Sequence, residues 1–245
     1  MPETASTRRG FIRQSMTGVG IVGAGLMTPA PMLVAAQAKA SPDKDEKNKK
    51  GEDISPAEDL MREHGLLNRL LLIYDEHLRM LAAKRTFDGS VLAGAADIIR
   101  HFVEEYHEKL EEDFLFPRFR KARKLVSLVD TLQTQHQAGR ELTAKIKDLA
   151  GVATFKYISA DSGKLADALH AFLRMYRPHE AREDTVLFPA FRTIVSPNEY
   201  EALGDDFEKK EDELFGEDGF FKVVDQVAQL EKKLGIYELA QFTPK

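Results

Sequence analysis

The chain has 245 residues, 31% of them charged, a formal net charge of −5 and no cysteine. Without cysteine there is no disulfide framework, zinc–thiolate site, iron–sulfur cluster or thiol nucleophile, so any metal must be held by His and carboxylate. The first 40 residues carry +3 (Arg8, Arg9, Arg13 and Lys39 against Glu3) and leave −8 on the remainder, a balance that argues against nucleic acid as a partner.

Ser6-Thr7-Arg8-Arg9-Gly10-Phe11-Ile12-Arg13 has the form of a twin-arginine export signal. The apolar stretch from Met16 to Ala36 is too broken by Gly and Pro to make a membrane span. Residues 1–40 are therefore expected to be a signal peptide, cut after Ala38-Lys39-Ala40, with an uncleaved anchor as the alternative. The mature chain would then be periplasmic or otherwise exported, with no stable membrane span. Residues 41–54 are nearly all charge with no apolar anchor, and a disordered tether is expected there.

Folding is expected to begin at Ser55-Pro56-Ala57-Glu58, which supplies an N-cap, a proline at the first helical position and an acid at the third. Leu60, His64, Leu67, Leu71, Tyr74 and Leu78 continue at helical spacing to about Lys84. Ser90 can cap a second helix, which Pro117 should end after Phe116. A third is expected from about Leu125 to Leu149, closed by Gly151. After a looser stretch with Asp161-Ser162-Gly163, a fourth should run from about Lys164 to Phe188, kinked at Pro178 and ended by Pro189. Val152 to Ile158 is the one candidate strand. Ser196-Pro197-Asn198-Glu199 starts another helix, Gly216 to Gly219 interrupts it, and Phe220 to Leu234 resumes with Val223, Val224, Val227 and Leu230 on one face. The expected architecture is all-α, an up-down-up-down four-helix bundle over 55–195, with a helical extension over 196–245 that packs on it through residues including Phe220, Phe221 and Phe242.

The chemistry sits in a motif spelled twice. HEKLEEDFLFPRFR from His107 returns 72 positions later as HEAREDTVLFPAFR from His179, with eight of fourteen positions identical, and the same shift carries His64 onto His136. On a helix, the His and the acids one and four residues on share an arc of about 100°, and that arc overlaps the apolar stripe. A carboxylate on a core stripe costs several kcal/mol, roughly, unless it is paired or binds metal. His64, His107, Glu108, Glu111, His136, His179, Glu180 and Glu183 are thus the candidate ligands of a pair of cations. Tyr176 and its repeat equivalent Glu104 are candidates for supporting hydrogen bonds. His77, His101 and His170 point away from the ligand arcs.

From about Ser55 to Arg192 the chain resembles the hemerythrin-like, or HHE cation-binding, family, on its two H-x-x-x-E-x-x-x-L-F-P elements with a lone His ahead of each. The resemblance implies a four-helix bundle around two non-haem irons, with His64 and His107 on one, His136 and His179 on the other, and Glu111 and Glu183 bridging. The oxygen carriers of the family have a second His one turn after the lone His of the third helix. Here Arg140 stands at that place and Asn68 at its counterpart in the first helix, so Glu108 and Glu180 would supply the missing donors. The implied function is an exported di-iron protein that binds O2 or a related small ligand such as NO. A di-iron oxidase or peroxide-decomposing enzyme and an iron-sequestering protein are the alternatives, and zinc or manganese, which the same donors also suit, is the rival metal.

Overall fold

The computed structural model describes residues 54–150 and 160–244. The export signal, nearly all of the tether, Gly151 and the strand candidate Val152 to Ile158 lie outside the described residues. The fold is an all-α bundle with no strand among the described residues.

Helix α1, Pro56–Ala82, starts as its sequence dictates: the Ser55 hydroxyl accepts a hydrogen bond from the Glu58 amide, and Pro56 opens the first turn. It stops where Lys84 turns into the left-handed region at φ 54°. The second rod, α2, is capped by Asp88, whose carboxylate takes the Ser90 amide at 2.9 Å, and not by Ser90. It runs as one rod through Gly89–Ile98, the π-helical Ile99–His107, Glu108–Leu110, the π-helical Glu111–Leu115 and Phe116–Ala122. Helix α3 is Val126–Ala150, and α4 is Ala160–Arg182 extended by the π-helical Glu183–Leu187 and then Phe188–Phe191. Two shorter helices follow, α5 (Pro197–Phe215) and α6 (Gly219–Leu234), the first capped by Ser196 just as α1 is capped by Ser55.

The prolines do not stop the helices as expected. Pro117 and Pro189 each lie inside a rod that continues to Ala122 and Phe191. In each case a π-helical turn, bonded i to i+5, comes immediately before. The wider turn accommodates a residue that has no N–H and would clash with the preceding turn of an α-helix. On α2 the Arg118 side chain also donates to the Phe114 carbonyl at 2.7 Å. The π turn has a second effect. It offsets the drift of about 40° that an i,i+4 step accumulates on an α-helix, and Leu115 with Phe116, like Leu187 with Phe188, is buried again one turn beyond the acid. Pro178 lies within the uninterrupted α-helical part of α4, and the departure from α-helical bonding comes at Glu183 instead. Asp161, Ser162 and Gly163 belong to α4 and form no looser connection.

The four rods close into a ring in which α1 meets α2 and α4, and α3 meets α2 and α4. Tyr74, Tyr106, Tyr176, Phe102, Phe116, Phe119, Phe172, Phe188 and Phe191 fill its centre, all fully buried. Helix α6 lies on α1 and the first part of α2 through Phe220, Val223, Val227 and Leu230. Arg69 of α1 clamps the buried Glu231 of α6 with two hydrogen bonds, at 2.6 and 3.0 Å. Phe242, read from the sequence as part of this cover, is 47% exposed.

Candidate metal centre

Four imidazoles, one from each rod, meet inside the ring: His64, His107, His136 and His179, none more than 4% exposed. Two carboxylates lie among them. Glu111 Oε2 is 3.9 Å from His107 Nε2 and 3.4 Å from His136 Nε2. Glu183 is 3.4 Å from His64 Nε2 and 3.1 Å from His179 Nε2. Each acid therefore reaches an imidazole of both pairs. Grouped by proximity, ligand atoms of His64, His107 and Glu111 lie within 4.8 Å of one another, and so do those of His136, His179 and Glu183. The L-F-P part of each motif builds the walls, since Phe188 stacks on His64 and Phe116 on His136, both at 5.5 Å.

All four rings are held from behind, by residues that sequence reasoning passed over. His64 Nδ1 meets Asp184 at 2.8 Å, His107 meets Glu63 at 2.8 Å, His136 meets Glu112 at 3.1 Å and His179 meets Gln135 at 2.9 Å. With Nδ1 engaged outward, every Nε2 faces the shared acids, which is how a metal-binding imidazole is fixed in tautomer and direction. A signal for these partners was present. Glu63 and Gln135 each precede a lone His, Glu112 and Asp184 each follow a bridging acid, and both couples are related by the 72-residue shift.

Glu108 and Glu180, expected as ligands, are buried but drawn away from the pair. Glu108 accepts from Tyr176 Oη at 2.7 Å and pairs with Arg140 at 2.8 Å. Glu180 takes the Asn68 amide at 2.5 Å. Arg140 and Asn68, one turn beyond the lone histidines, thus engage these two acids, but Glu108 Oε2 and Glu180 Oε1 are buried oxygens that accept no hydrogen bond. Glu108, Glu112 and His136 do cluster within 4.8 Å, and the Arg140 guanidinium hydrogen-bonds Glu112 and forms an ion pair with Glu108. Glu104 pairs with Arg100 at 2.8 Å. Of the remaining histidines, His101 and His170 are exposed. His77 is buried, bonded to the Ile73 carbonyl at 2.8 Å.

Tyr176 explains a glycine in mid-helix. A Cβ on Gly139 would fall 2.1 Å from the tyrosine hydroxyl and 2.8 Å from its Cζ, so the phenol lies where a side chain would otherwise stand. Gly139→Ala gains about 1 kcal/mol of helix propensity but is expected to destabilise the protein by about 1–3 kcal/mol through overpacking. Thermal unfolding checks this, and an unchanged or raised midpoint would mean that Tyr176 does not fill that space.

The electrostatics are those of a site short of positive charge. None of the four carboxylate oxygens of Glu111 and Glu183 accepts a hydrogen bond, although all are buried. Burial, and then the facing Glu183, push Glu111 well above the usual carboxylate range. Glu183 is also penalised by burial, but His179 and His64 outweigh that and hold it well below. Burial would lower His64, yet its hydrogen bond to Asp184 and the adjacent Glu183 carboxylate prevail and push it up to about 10. Burial takes His136 down to about 4 and lifts Glu108 to about 8 and Glu180 to about 7. Buried like charges this close do not both ionise unless a cation lies between them.

Residues 55–191 match the model of the hemerythrin HHE cation binding domain. Uncharacterized proteins of Mycobacterium tuberculosis and Mycobacterium bovis are 41% identical over 244 residues, covering 99% of this chain and 93% of each relative. No solved structure matches.

Proposed function

The chain belongs to the hemerythrin HHE cation-binding domain family, and from that premise we propose that it holds two non-haem iron ions and binds O2 or a related small ligand such as NO at them. The observation that carries the reading is the set of four buried, donorless carboxylate oxygens encircled by four inward-facing imidazoles. His64, His107 and Glu111 would hold one ion and His136, His179 and Glu183 the other, with each acid shared. Two imidazoles and two shared carboxylates per ion leave open positions of the kind non-haem ferrous iron uses, and the same donors would also take zinc or manganese. Iron bound there would supply a redox couple and coordination positions for a small exogenous ligand.

The protein's own part is to orient and to exclude. The Nδ1 partners fix the four rings, Phe116 and Phe188 wall the site against water, and Tyr176 with Arg140 keeps Glu108 off the ions. Donors buried this deeply suit a resident metal pair better than cargo that has to be released. The twin-arginine-like Ser6 to Arg13 stretch supports export of a chain already folded around its metal, which cell fractionation would test.

Purified protein is expected to contain close to two irons per chain. Its diferrous form should change spectrum on exposure to air and recover on deoxygenation. Irreversible ferric conversion with peroxide turnover would move the reading to a di-iron oxidase or peroxide-decomposing enzyme, and steady iron release to a chelator would move it to sequestration. Two zinc or manganese ions and no iron would remove the dioxygen chemistry.

A further inference from the structure

The two halves of the centre are related by the 72-residue repeat, and the groups behind the imidazoles break that symmetry. His64 and His107 are both backed by carboxylates, Asp184 and Glu63, each at 2.8 Å. His136 is backed by Glu112, but its companion His179, the repeat equivalent of His107, is backed by the neutral amide of Gln135. Glu112 is moreover neutralised, since Arg140 meets it at 2.7 Å and Lys109 bonds its other oxygen. The equivalents of Arg140 and Lys109 in the other half are Asn68 and Ala181, which carry no charge. Glu108 and Glu180 contribute one acid to each half and do not distinguish them. Asp59 and Glu211 lie within 4.8 Å of Glu63 and add acid to its side, with Arg62 3.9 Å from Asp59.

A carboxylate on Nδ1 makes an imidazole a stronger donor through Nε2, and outer partners of this kind change metal affinity by roughly 10–100-fold. We infer that the two ion positions are unequal: the position of His64 and His107 binds tightly and stabilises the higher oxidation state, whereas that of His136 and His179 is the labile one, with Gln135, Arg140 and Lys109 as the residues that weaken it. This rests on the two-ion reading above.

The test uses the full chain loaded anaerobically with ferrous iron and challenged with a chromophoric chelator, with iron counted by metal analysis before and after. Release is expected in two phases of one iron per chain each, their rates about 10-fold or more apart. Gln135→Glu, which supplies the missing carboxylate, should slow the fast phase toward the slow one. So should Lys109→Ala, whose side chain is 47% exposed and whose loss should leave folding intact. Asp184→Asn should instead speed the slow phase. A single phase releasing both irons, or two phases that neither Gln135→Glu nor Lys109→Ala alters, would overturn the inequality and leave the two-ion reading standing. A chain that never takes up two irons would overturn both.

Discussion

Glu183→Gln is expected to destabilise the metal-free protein by about 3 kcal/mol, the scale of breaking a buried ion pair, whereas Glu111→Gln should change it by less than about 1 kcal/mol. The two acids are equivalent by the repeat but not by environment. Glu183 is held ionised by His179 and His64, and His64, pushed up to about 10, carries the matching positive charge. Removing the Glu183 charge leaves that imidazolium with Asp184 at 2.8 Å as its acidic partner. Glu111 is driven by burial and by Glu183 toward its neutral form, which a glutamine imitates. With metal the difference should vanish. Each acid would be shared between two ions, so either glutamine should reduce bound iron from two per chain to one or fewer. Denaturant melts of chelator-treated protein and metal analysis of loaded protein give both readouts. Equal losses of metal-free stability would refute the division of charge between the acids, and full occupancy in both variants would dispose of their role as shared ligands.

The repeat made much of the site legible. A fixed offset linking His64 to His136 and the two H-E-x-x-E elements to each other places four rods and six converging side chains, because helical spacing turns sequence interval into direction. What it could not show was which acids the rest of the bundle would claim. Glu108 shares an arc with Glu111, but Tyr176 and Arg140, 68 and 32 positions further on, reach it from α4 and α3. Periodicity along one helix carries no information about a neighbour's hydroxyl or guanidinium. The opposite error affected Glu63, Glu112, Gln135 and Asp184. A charged or amide residue beside a histidine on an exposed helix reads as solvated surface, yet here all four of these side chains bond an imidazole from another rod. Pro117 and Pro189 misled for a local reason. Breaking an α-helix is what proline does to α-helical bonding, and these turns are π-helical.

The stability of the metal-free protein should fall as pH rises from 6.5 to 8, by about 2–4 kcal/mol. Of the buried groups raised above their ordinary values, three carry the slope in this window: His64 near 10 against 6.5, Glu108 near 8 against 4.5 and Glu180 near 7 against 4.5. Throughout this window the folded chain binds more protons than the unfolded one at all three, and stability then declines with pH. The His64 contribution is fully present below 6.5 and lost through 10, and those of the two acids are lost on the way to 8 and 7. His136, lowered to about 4, and His107 and His77, lowered by burial, act in the opposite direction, chiefly below about 7, where the unfolded imidazole still takes up its proton. Loading with metal should remove the His64 part of the slope, because an imidazole that must be deprotonated to coordinate no longer titrates in this range, and leave the parts due to Glu108 and Glu180. Denaturant melts at half-unit pH steps, with and without metal, measure both curves. A metal-free curve that stays level or climbs above pH 6.5 would show that the interior acids find compensation within the chain, and the need for a cation between them would go with it.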